Sequence, residues 1–551
     1  MPVLRGTVEI LRSNPPVRAH DARKAGAPGG RKVHAPEDRL IRHPLQTQGA
    51  AMTCPQSVIS PRAASAARTV CVLSRARSAT GVCGAALLGV LATSGCMSTP
   101  AYVRPTVEVP AAYRLHGIAS ASADGPSLDA LAPWWQGFGD AQLDALVDEA
   151  LRSNHDLGIA VARVDEFAAR VTAARSAALP QLGYGVSSGR QRAPGIGASG
   201  THAVGLFASW ELDLWGRLRS EQDAARAELM ASEQARRGVA LSVVASVVAG
   251  YITLLDLDRR LEIANATVAG RRASVALFQL RLDGGALSEF EMLQVSAEYE
   301  SAVAAVPELQ QALAEQENAL SVLVGRNPGP IARGGTLQTL QPPVPPAGLP
   351  SDLLARRPDI LQSEQQLVAA HARIQVARAL YFPSLSLTGQ GGRASAALDD
   401  LFSGPSRTWS FVGQLLGPIF AGGAIDAANR QAQARNVQAV LDYQRTIQNA
   451  FRDVDDALAA IQSKTDLVAS LERRVDALRR AVALAGERYD NGYADYLEVL
   501  DTERGLFSAE LALSSARGDR YRASVALYQA LGGEGWTRQM ASRAQVSGQP
   551  R

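Results

Sequence analysis

The sequence predicts a mixed α/β membrane protein, built as a duplicated subunit in which very long helices project from a short membrane-spanning sheet. Three observations support this prediction. A pattern of residues recurs about 200 positions apart, four short segments alternate apolar and polar residues, and two stretches of more than 60 residues contain no proline. Solenoid repeats have periods of roughly 20–50 residues. A period near 200 therefore indicates a duplicated unit of domain size.

Two similar stretches mark the duplication. RLDGGALSEFEML occupies residues 281–293 and RYDNGYADYLEVL occupies residues 488–500, an offset of 207 residues. The same offset aligns four pairs of identical residues: Asp283 with Asp490, Gly285 with Gly492, Glu291 with Glu498, and Gly325 with Gly532. Further upstream, Pro180 aligns with Pro383 at an offset of 203. Each half is expected to hold a helix, two short strands and a pair of long helices.

The first 95 residues form a basic leader. They carry 13 Lys+Arg and 4 Asp+Glu, a net charge of +9, whereas the rest of the chain has a net charge of −6. The overall positive charge therefore gives no support to a nucleic-acid partner. Arg75 and Arg77 precede an apolar run that ends at Cys96, which is typical of a secretory signal.

The end of this run, Ser94-Gly95-Cys96, resembles a bacterial lipobox. The resemblance implies that Cys96 is lipidated and becomes the first mature residue. The alternative is an ordinary cleavage site with an incidental cysteine. No cysteine follows Cys96, so the mature chain cannot form an internal disulfide.

Composition and the two repeats divide the chain into six segments. We expect a leader with signal peptide at 1–95, of which 1–51 is a possible mis-assigned start, an N-terminal extension at 96–133, a first repeat at 134–328, a Pro/Gly-rich linker at 329–350, a second repeat at 351–535 and a disordered tail at 536–551.

One segment alternates strictly. From Val204 to Leu214 every second residue is apolar, which is the period of a strand with one apolar face. Weaker alternation occurs over residues 182–189, 384–392 and 409–420. The apolar faces end in aromatic residues, as membrane-spanning strands do at the lipid interface; these residues are Trp210, Trp409, Phe411 and Phe420.

Four strands in one chain cannot close a membrane barrel, because single-chain barrels start at about eight strands. An open sheet edge in lipid would also leave backbone N–H and C=O groups without partners. If these strands span a membrane, several chains must therefore share one barrel.

The proline-free stretches predict helices of unusual length. Residues 216–283 and 424–487 would each reach about 100 Å at roughly 1.5 Å per residue. In the second stretch, apolar residues follow a 4, 3, 4, 3 spacing that suits coiled-coil packing; they are Ile447, Phe451, Val454, Leu458 and Ile461. Pro307 is expected to interrupt the return helix of the first half, whereas its counterpart Ser514 is not.

Several segments together resemble the outer membrane factor (outer membrane efflux protein) family of tripartite efflux systems, in its lipoprotein, NodT-like branch. The most specific of them is GLPSDLLARRPDILQSEQQLVAAHARIQVARALYFPSLSLTGQGG at 348–392. WWQGFGDAQLDALVDEAL at 134–151, SWELDLWGRLR at 209–219 and GYADYLEVLDTER at 492–504 support it. The resemblance extends over nearly all of residues 96–535.

This resemblance implies a homotrimer with a 12-stranded outer-membrane β-barrel, continuous with a long periplasmic α-helical coiled-coil barrel. The protein would be anchored in outer-membrane lipid and extend into the periplasm. It would dock on a periplasmic adaptor (membrane fusion protein) and receive substrate from an inner-membrane RND-type transporter. Its function would be that of a passive exit duct for small molecules or ions.

The repeated stretches would then form the tips of two helical hairpins. Gly285 and Gly492 permit a tight reversal of the chain. The resemblance implies that the tips face the adaptor, with contacts from Gly285, Leu287, Ser288, Gly492, Ala494 and Asp495. It also implies that Glu498 and Asp501 line a periplasmic gate, whereas in most proteins such a pair is simply a solvated helix face.

No enzyme is indicated. The mature histidines are dispersed, and the sequence contains neither a metal-binding HExxH motif nor a P-loop nor a GxSxG elbow. We therefore expect no catalytic residue, no metal site and no cofactor. Two alternatives to the efflux duct remain open at this point: the outer-membrane component of type I protein secretion, and a periplasmic structural coiled-coil lipoprotein.

Overall fold

The computed structural model describes residues 102–110, 113–114, 133–195, 197–341, 350–403 and 405–533. These residues belong to one compact unit, Gly84–Arg551. The predicted leader, Cys96 and the C-terminal tail lie outside the described residues.

The two halves contain the same elements in the same order. The first half consists of α1 (Ala141–Ser153), α2 (His155–Ser176), β1 (Gln181–Ala193), β2 (Gly197–Leu212), α3 (Arg217–Asp283) and α4 (Glu289–Leu323). The second consists of α5 (Pro350–Arg356), α6 (Pro358–Ala379), β3 (Ser384–Ser395), β4 (Arg407–Leu416), α7 (Ala424–Asp490) and α8 (Tyr496–Ala530). Helices α2 and α6 both have 22 residues, α3 and α7 both have 67, and α4 and α8 both have 35. The matched lengths follow from the duplication.

The four strands form one antiparallel sheet in the order β1-β2-β3-β4. The two halves of the chain meet where β2 pairs with β3, with Leu206 opposite Gly391. Gly391 in turn lies opposite Trp409 of β4. The strands extend beyond the predicted segments at the ends away from the long helices, where hydrophobicity no longer alternates, whereas β2 stops at Leu212, two residues before the predicted Leu214. At its other end β4 stops at Leu416, so the prediction that Phe420 belongs to this strand is wrong. Pro418, which has no N–H for the ladder, lies between the two.

Helices α3 and α7 are uninterrupted, and 67 residues span about 100 Å. The prediction that Pro307 interrupts the return helix is wrong, since α4 runs continuously through it. A proline in a helix interior removes one backbone hydrogen bond. The packing of α4 along α3 retains the helix, with Ala302 and Leu309 buried on either side of the proline.

The largest apolar core lies where α1, the middle of α3, the end of α4 and the end of α8 meet. It includes Phe138, Val244, Tyr251, Leu320 and Tyr528. A second core gathers the predicted heptad positions of α7, with Ile447, Val454 and Leu458 buried and Phe451 and Ile461 partly buried. One stretch of α3 is apolar enough to cross a membrane by composition, but most of it is buried within this helical core.

The segment between the halves is packed rather than free where the structure describes it. Ile331, Leu337 and Leu340 belong to the main core. Arg333 lies 2.9 Å from Asp258 and also pairs with Glu317. Residues 329–341 of the linker therefore pack against the helices although they form no regular element.

Candidate functional site

The two hairpin tips are the first part of the site, and glycine shapes both in the same way. Gly285 and Gly492 have φ values of 71° and 75°, in the left-handed region. In each tip the next residue donates its N–H back across the helix end, Ala286 to the Arg281 carbonyl and Tyr493 to the Arg488 carbonyl, both at 2.8 Å. This is the Schellman arrangement, in which a side chain at the left-handed position would be strained.

The tips differ in how the following helix begins. Ser288 caps α4: its Oγ accepts from the Glu291 N–H at 3.2 Å, and the Glu291 carboxylate accepts from the Ser288 N–H at 3.0 Å. The Ser288 hydroxyl also donates to the Glu291 carboxylate at 2.7 Å, and this bond, together with the one from the Ser288 N–H, lowers the pKa of Glu291. Asp495 begins α8 with its side chain exposed and without a capping hydrogen bond. The carboxylate of Asp495 is therefore presented at the tip, whereas the hydroxyl of Ser288 is engaged in the cap.

An aromatic cluster joins the two hairpins behind the tips. Phe278 of α3 lies 4.2 Å from Tyr496 and 6.2 Å from Tyr489, measured between ring centroids. Arg281 donates to the Tyr489 hydroxyl at 2.9 Å, and its guanidinium lies over the Tyr489 ring. Burial raises the pKa of Tyr496. This cluster holds α3 against α7 and α8 near the tip.

The two acidic residues predicted to line a gate lie one helical turn apart at the start of α8, and both are exposed. Glu498 is 3.1 Å from the guanidinium of Arg488, in the last turn of α7. Among the described residues no ion pair is recorded for Asp501. The two carboxylates are therefore electrostatically different, because one is compensated within its own hairpin.

A buried ion triad crosses between the hairpins a little further from the tip. Glu298 of α4 contacts Arg271 of α3 at 3.2 Å and Arg504 of α8 at 2.5 Å. The side chains of Glu298 and Arg271 are 11% and 7% exposed, whereas that of Arg504 is 50% exposed. Burial raises the pKa of the neighbouring Glu503, and the charge of Glu298 raises it further.

The sheet is the second part of the site, and its register separates two faces. Leu182, Tyr184, Leu206, Trp210, Leu387, Trp409, Phe411 and Leu415 lie on one face. The opposite face is mainly polar, although Phe207 and Val412 also lie on it; its polar residues are Ser187, Thr201, Ser209, Ser386, Thr388, Gln390, Ser410 and Gln414. Trp409 and Phe411 are exposed, although apolar rings are normally buried in water-soluble proteins. This face is suited to lipid and the other to water.

The structure brings the predicted tip residues together at the two hairpin ends, with Gly285, Ser288, Gly492 and Asp495 exposed and Leu287 and Ala494 half-buried. Reasoning from the sequence missed Arg281, Arg488 and the triad around Glu298. The signal for the two arginines was present, since they are equivalent residues of the repeat at the offset of 207. The triad joins α3, α4 and α8, and no spacing in the sequence indicates it.

The fold and the two-faced sheet define a subunit of an outer-membrane channel with long helical hairpins. The family model for "Outer membrane efflux protein" matches residues 146–326 and 349–533. "Cation efflux system protein CusC" of Escherichia coli O6:H1 is 36% identical over 452 residues, covering 81% of this chain and 97% of CusC. "Outer membrane protein OprJ" of Pseudomonas aeruginosa is 37% identical over 478 residues, covering 82% of this chain and 95% of OprJ.

A solved structure agrees with these relatives. The open state of the Neisseria gonorrhoeae MtrE outer membrane channel superimposes with a TM-score of 0.73 at 31% identity, covering 80% of this chain and 100% of MtrE. The chain belongs to the outer membrane efflux protein family. The predicted family and the outer-membrane location are thereby confirmed, and the protein is the outer-membrane component of an efflux system. The lipoprotein, NodT-like branch stays a prediction.

Proposed function

We propose that the protein is a passive exit duct, through which small molecules or ions cross the periplasm and the outer membrane. The observation that carries this proposal is the join between the two-faced sheet and the 67-residue helices. Each helix spans about 100 Å, several times the ~30 Å hydrocarbon core of a bilayer. A polar sheet face continuous with such helices suits a water-filled path, and a periplasmic scaffold would need no lipid-facing sheet.

The duct is a homotrimer. One chain supplies four strands, and β1 and β4 are the edges of its sheet. Three chains joined edge to edge give twelve strands, within the range of closed outer-membrane barrels, and leave no unpaired edge in lipid. The mass of the detergent-solubilised protein tests this. A monodisperse monomer that conducts in bilayers would contradict it.

The hairpin tips dock on a periplasmic adaptor, which connects the duct to an inner-membrane RND-type transporter. Their exposed backbone at Gly285 and Gly492 and the free carboxylate of Asp495 support a polar contact there. Leu287 and Ala494 add small apolar surfaces. Ser288 contributes through its backbone and its position, because its hydroxyl is engaged in the helix cap.

The gate consists of Glu498 and Asp501 from each chain, gathered around the trimer axis. In this arrangement the three Glu498–Arg488 pairs are close to neutral, while the three Asp501 carboxylates, which make no ion-pair contact among the described residues, leave more net negative charge at the ring. Two like charges 4 Å apart repel by about 4 kcal/mol at an effective dielectric of 20. The pairing of Glu498 therefore lowers the cost of a closed ring, and Asp501 sets its preference for cations.

Planar-bilayer recordings test the gate with substitutions that should change its cation selectivity in opposite directions. The double variant E498A/D501A should lose cation selectivity and sensitivity to divalent ions while the trimer still assembles. R488Q should increase cation selectivity, because it leaves Glu498 without its counter-charge. The control E166A/D442A also removes two exposed carboxylates, each with its own arginine partner on a helix away from the tips. Unchanged selectivity in both E498A/D501A and R488Q would reduce these residues to a solvated helix face.

Lipidation of Cys96 completes the proposal. More than one acyl chain gives stable anchoring, at about 0.8 kcal/mol per buried CH₂. Met97 follows Cys96, so the aspartate that commonly retains lipoproteins at the inner membrane is absent from that position. Mass spectrometry of the mature N-terminus should show an acylated cysteine, and an unmodified Cys96 would refute this part.

A further inference from the structure

Four arginines lie on the apolar face of the sheet, at the end away from the helices, and Arg192 of β1, two residues beyond Arg190, is the outermost of them. Arg393 and Arg407 are direct partners across β3 and β4, in the same row as Val204. Arg190 faces Gly200, four residues along β2 from Val204. Side chains alternate in direction along a strand, so an even separation places Arg190 on the same face. We call Arg190, Arg393 and Arg407 the arginine belt.

Each arginine of the belt lies the same number of residues from the helix-proximal end of its own strand. Arg190 lies nine residues from Gln181, Arg393 nine residues from Ser384 and Arg407 nine residues from Leu416, each counted from the helix-proximal end of its strand. Nine residues at about 3.3 Å rise roughly 30 Å along a strand. At the usual tilt of about 40° this is roughly 23 Å along a barrel axis, close to the ~25 Å height of the apolar band of outer-membrane barrels. The belt therefore marks the upper border of the lipid-facing surface.

The belt has no nearby negative charge from its own strands. Strands β1, β3 and β4 contain no Asp or Glu, and the one acidic residue of β2, Glu211, lies at the opposite end. Within the described ranges no ion pair is recorded for any of the three arginines. Arg393 donates to the Phe402 carbonyl at 2.9 Å, while Arg190 and Arg407 are exposed. His202, next to the belt on the same face, lies 2.8 Å from the Ser188 hydroxyl.

We propose that the arginine belt binds phosphate groups of lipopolysaccharide, the phosphorylated glycolipid of the outer leaflet. This inference rests on the proposed function, which directs the helices into the periplasm and so places the belt at the outer leaflet. A guanidinium presents paired N–H groups that match a phosphate, and basic residues bordering a hydrocarbon band attract anionic headgroups. Lipid packed on the face below the belt brings such phosphates to this height.

Binding of the full-length protein to lipid A carrying two phosphates, measured in detergent by native mass spectrometry, tests the inference. The belt variant R190Q/R393Q/R407Q should bind about a hundredfold more weakly, because each basic residue near an anionic surface strengthens binding about fivefold. The control R430Q/R445Q/R480Q removes three exposed arginines from α7 and should bind like the wild type.

Several outcomes would overturn the inference. They are wild-type affinity in the belt variant, equal binding of lipid A stripped of its phosphates, and full displacement of lipid A by inorganic pyrophosphate or by phosphatidylglycerol vesicles. Channel conductance of the belt variant is recorded in parallel. A wild-type protein that conducts but does not bind lipid A refutes the belt alone, whereas a wild-type protein that fails to conduct refutes the proposed duct.

Discussion

The ion triad between the hairpins predicts that two substitutions at the same contact reduce stability by different amounts. Glu298 stands between Arg271, which is nearly buried, and Arg504, which is half exposed. E298Q removes the charge that both arginines share and leaves the Arg271 guanidinium buried without its carboxylate. R504Q removes only the exposed partner, and the buried pair of Arg271 and Glu298 remains.

How deeply each charged partner is buried determines how much stability each substitution removes. Breaking a buried ion pair by removing one member costs about 3–5 kcal/mol. We expect a value near 3 kcal/mol for E298Q, because Glu503 still acts on Arg271 and a backbone bond from Arg271 to residue 298 persists. An exposed ion pair contributes about 1 kcal/mol or less. R504Q should therefore cost about a third as much as E298Q.

Amide hydrogen exchange of α4 residues near position 298 measures these costs locally, since openings of the tip region break the triad. Protection should fall about a hundredfold in E298Q and about fivefold in R504Q, because each 1.4 kcal/mol is a factor of ten. The control R479Q removes a similar exposed pair, Arg479 with Glu510, that lies within the second hairpin. It should leave exchange in α4 unchanged. Equal effects of E298Q and R504Q would refute the reasoning.

Two further predictions concern single side chains. Burial raises the pKa of Asp256, whose carboxylate accepts from the Ser514 hydroxyl at 2.6 Å. Because this pKa is raised in the folded protein, the ionised carboxylate destabilises the fold as pH rises. At pH 7, D256N should therefore melt at a higher temperature than the wild type, and the difference should vanish below about pH 4. Equal melting temperatures at pH 7 would contradict this prediction. S288A removes the bond that the Ser288 hydroxyl accepts from the Glu291 N–H, at a cost of about 1 kcal/mol. Exchange at residues 289–292 should therefore accelerate about fivefold, whereas Asp495→Ala should leave the start of α8 unchanged, because Asp495 makes no capping bond.

The sequence alone determined the features that depend on patterns among neighbouring residues. Period-two alternation identified all four strands, and the absence of proline identified the two long helices. Gly285 and Gly492 were predicted as turn positions because only glycine adopts a left-handed φ without strain. The family resemblance rested on contiguous segments and was confirmed. Pro307 shows the limit of such patterns, since helix α4 passes through a residue that normally ends a helix.

The features that only the tertiary structure decided depend on contacts between distant parts of the chain. Glu498 and Asp501 look alike in the sequence, but among the residues that the structure describes only Glu498 forms an ion pair, with Arg488. The triad joins Arg271, Glu298 and Arg504 across a separation of more than 200 residues. Side-chain partners of this kind follow from how helices pack, and the spacing along one helix specifies which face is buried but not which charge it meets. The belt likewise required the strand register, because a slip of one residue would turn each arginine to the opposite face.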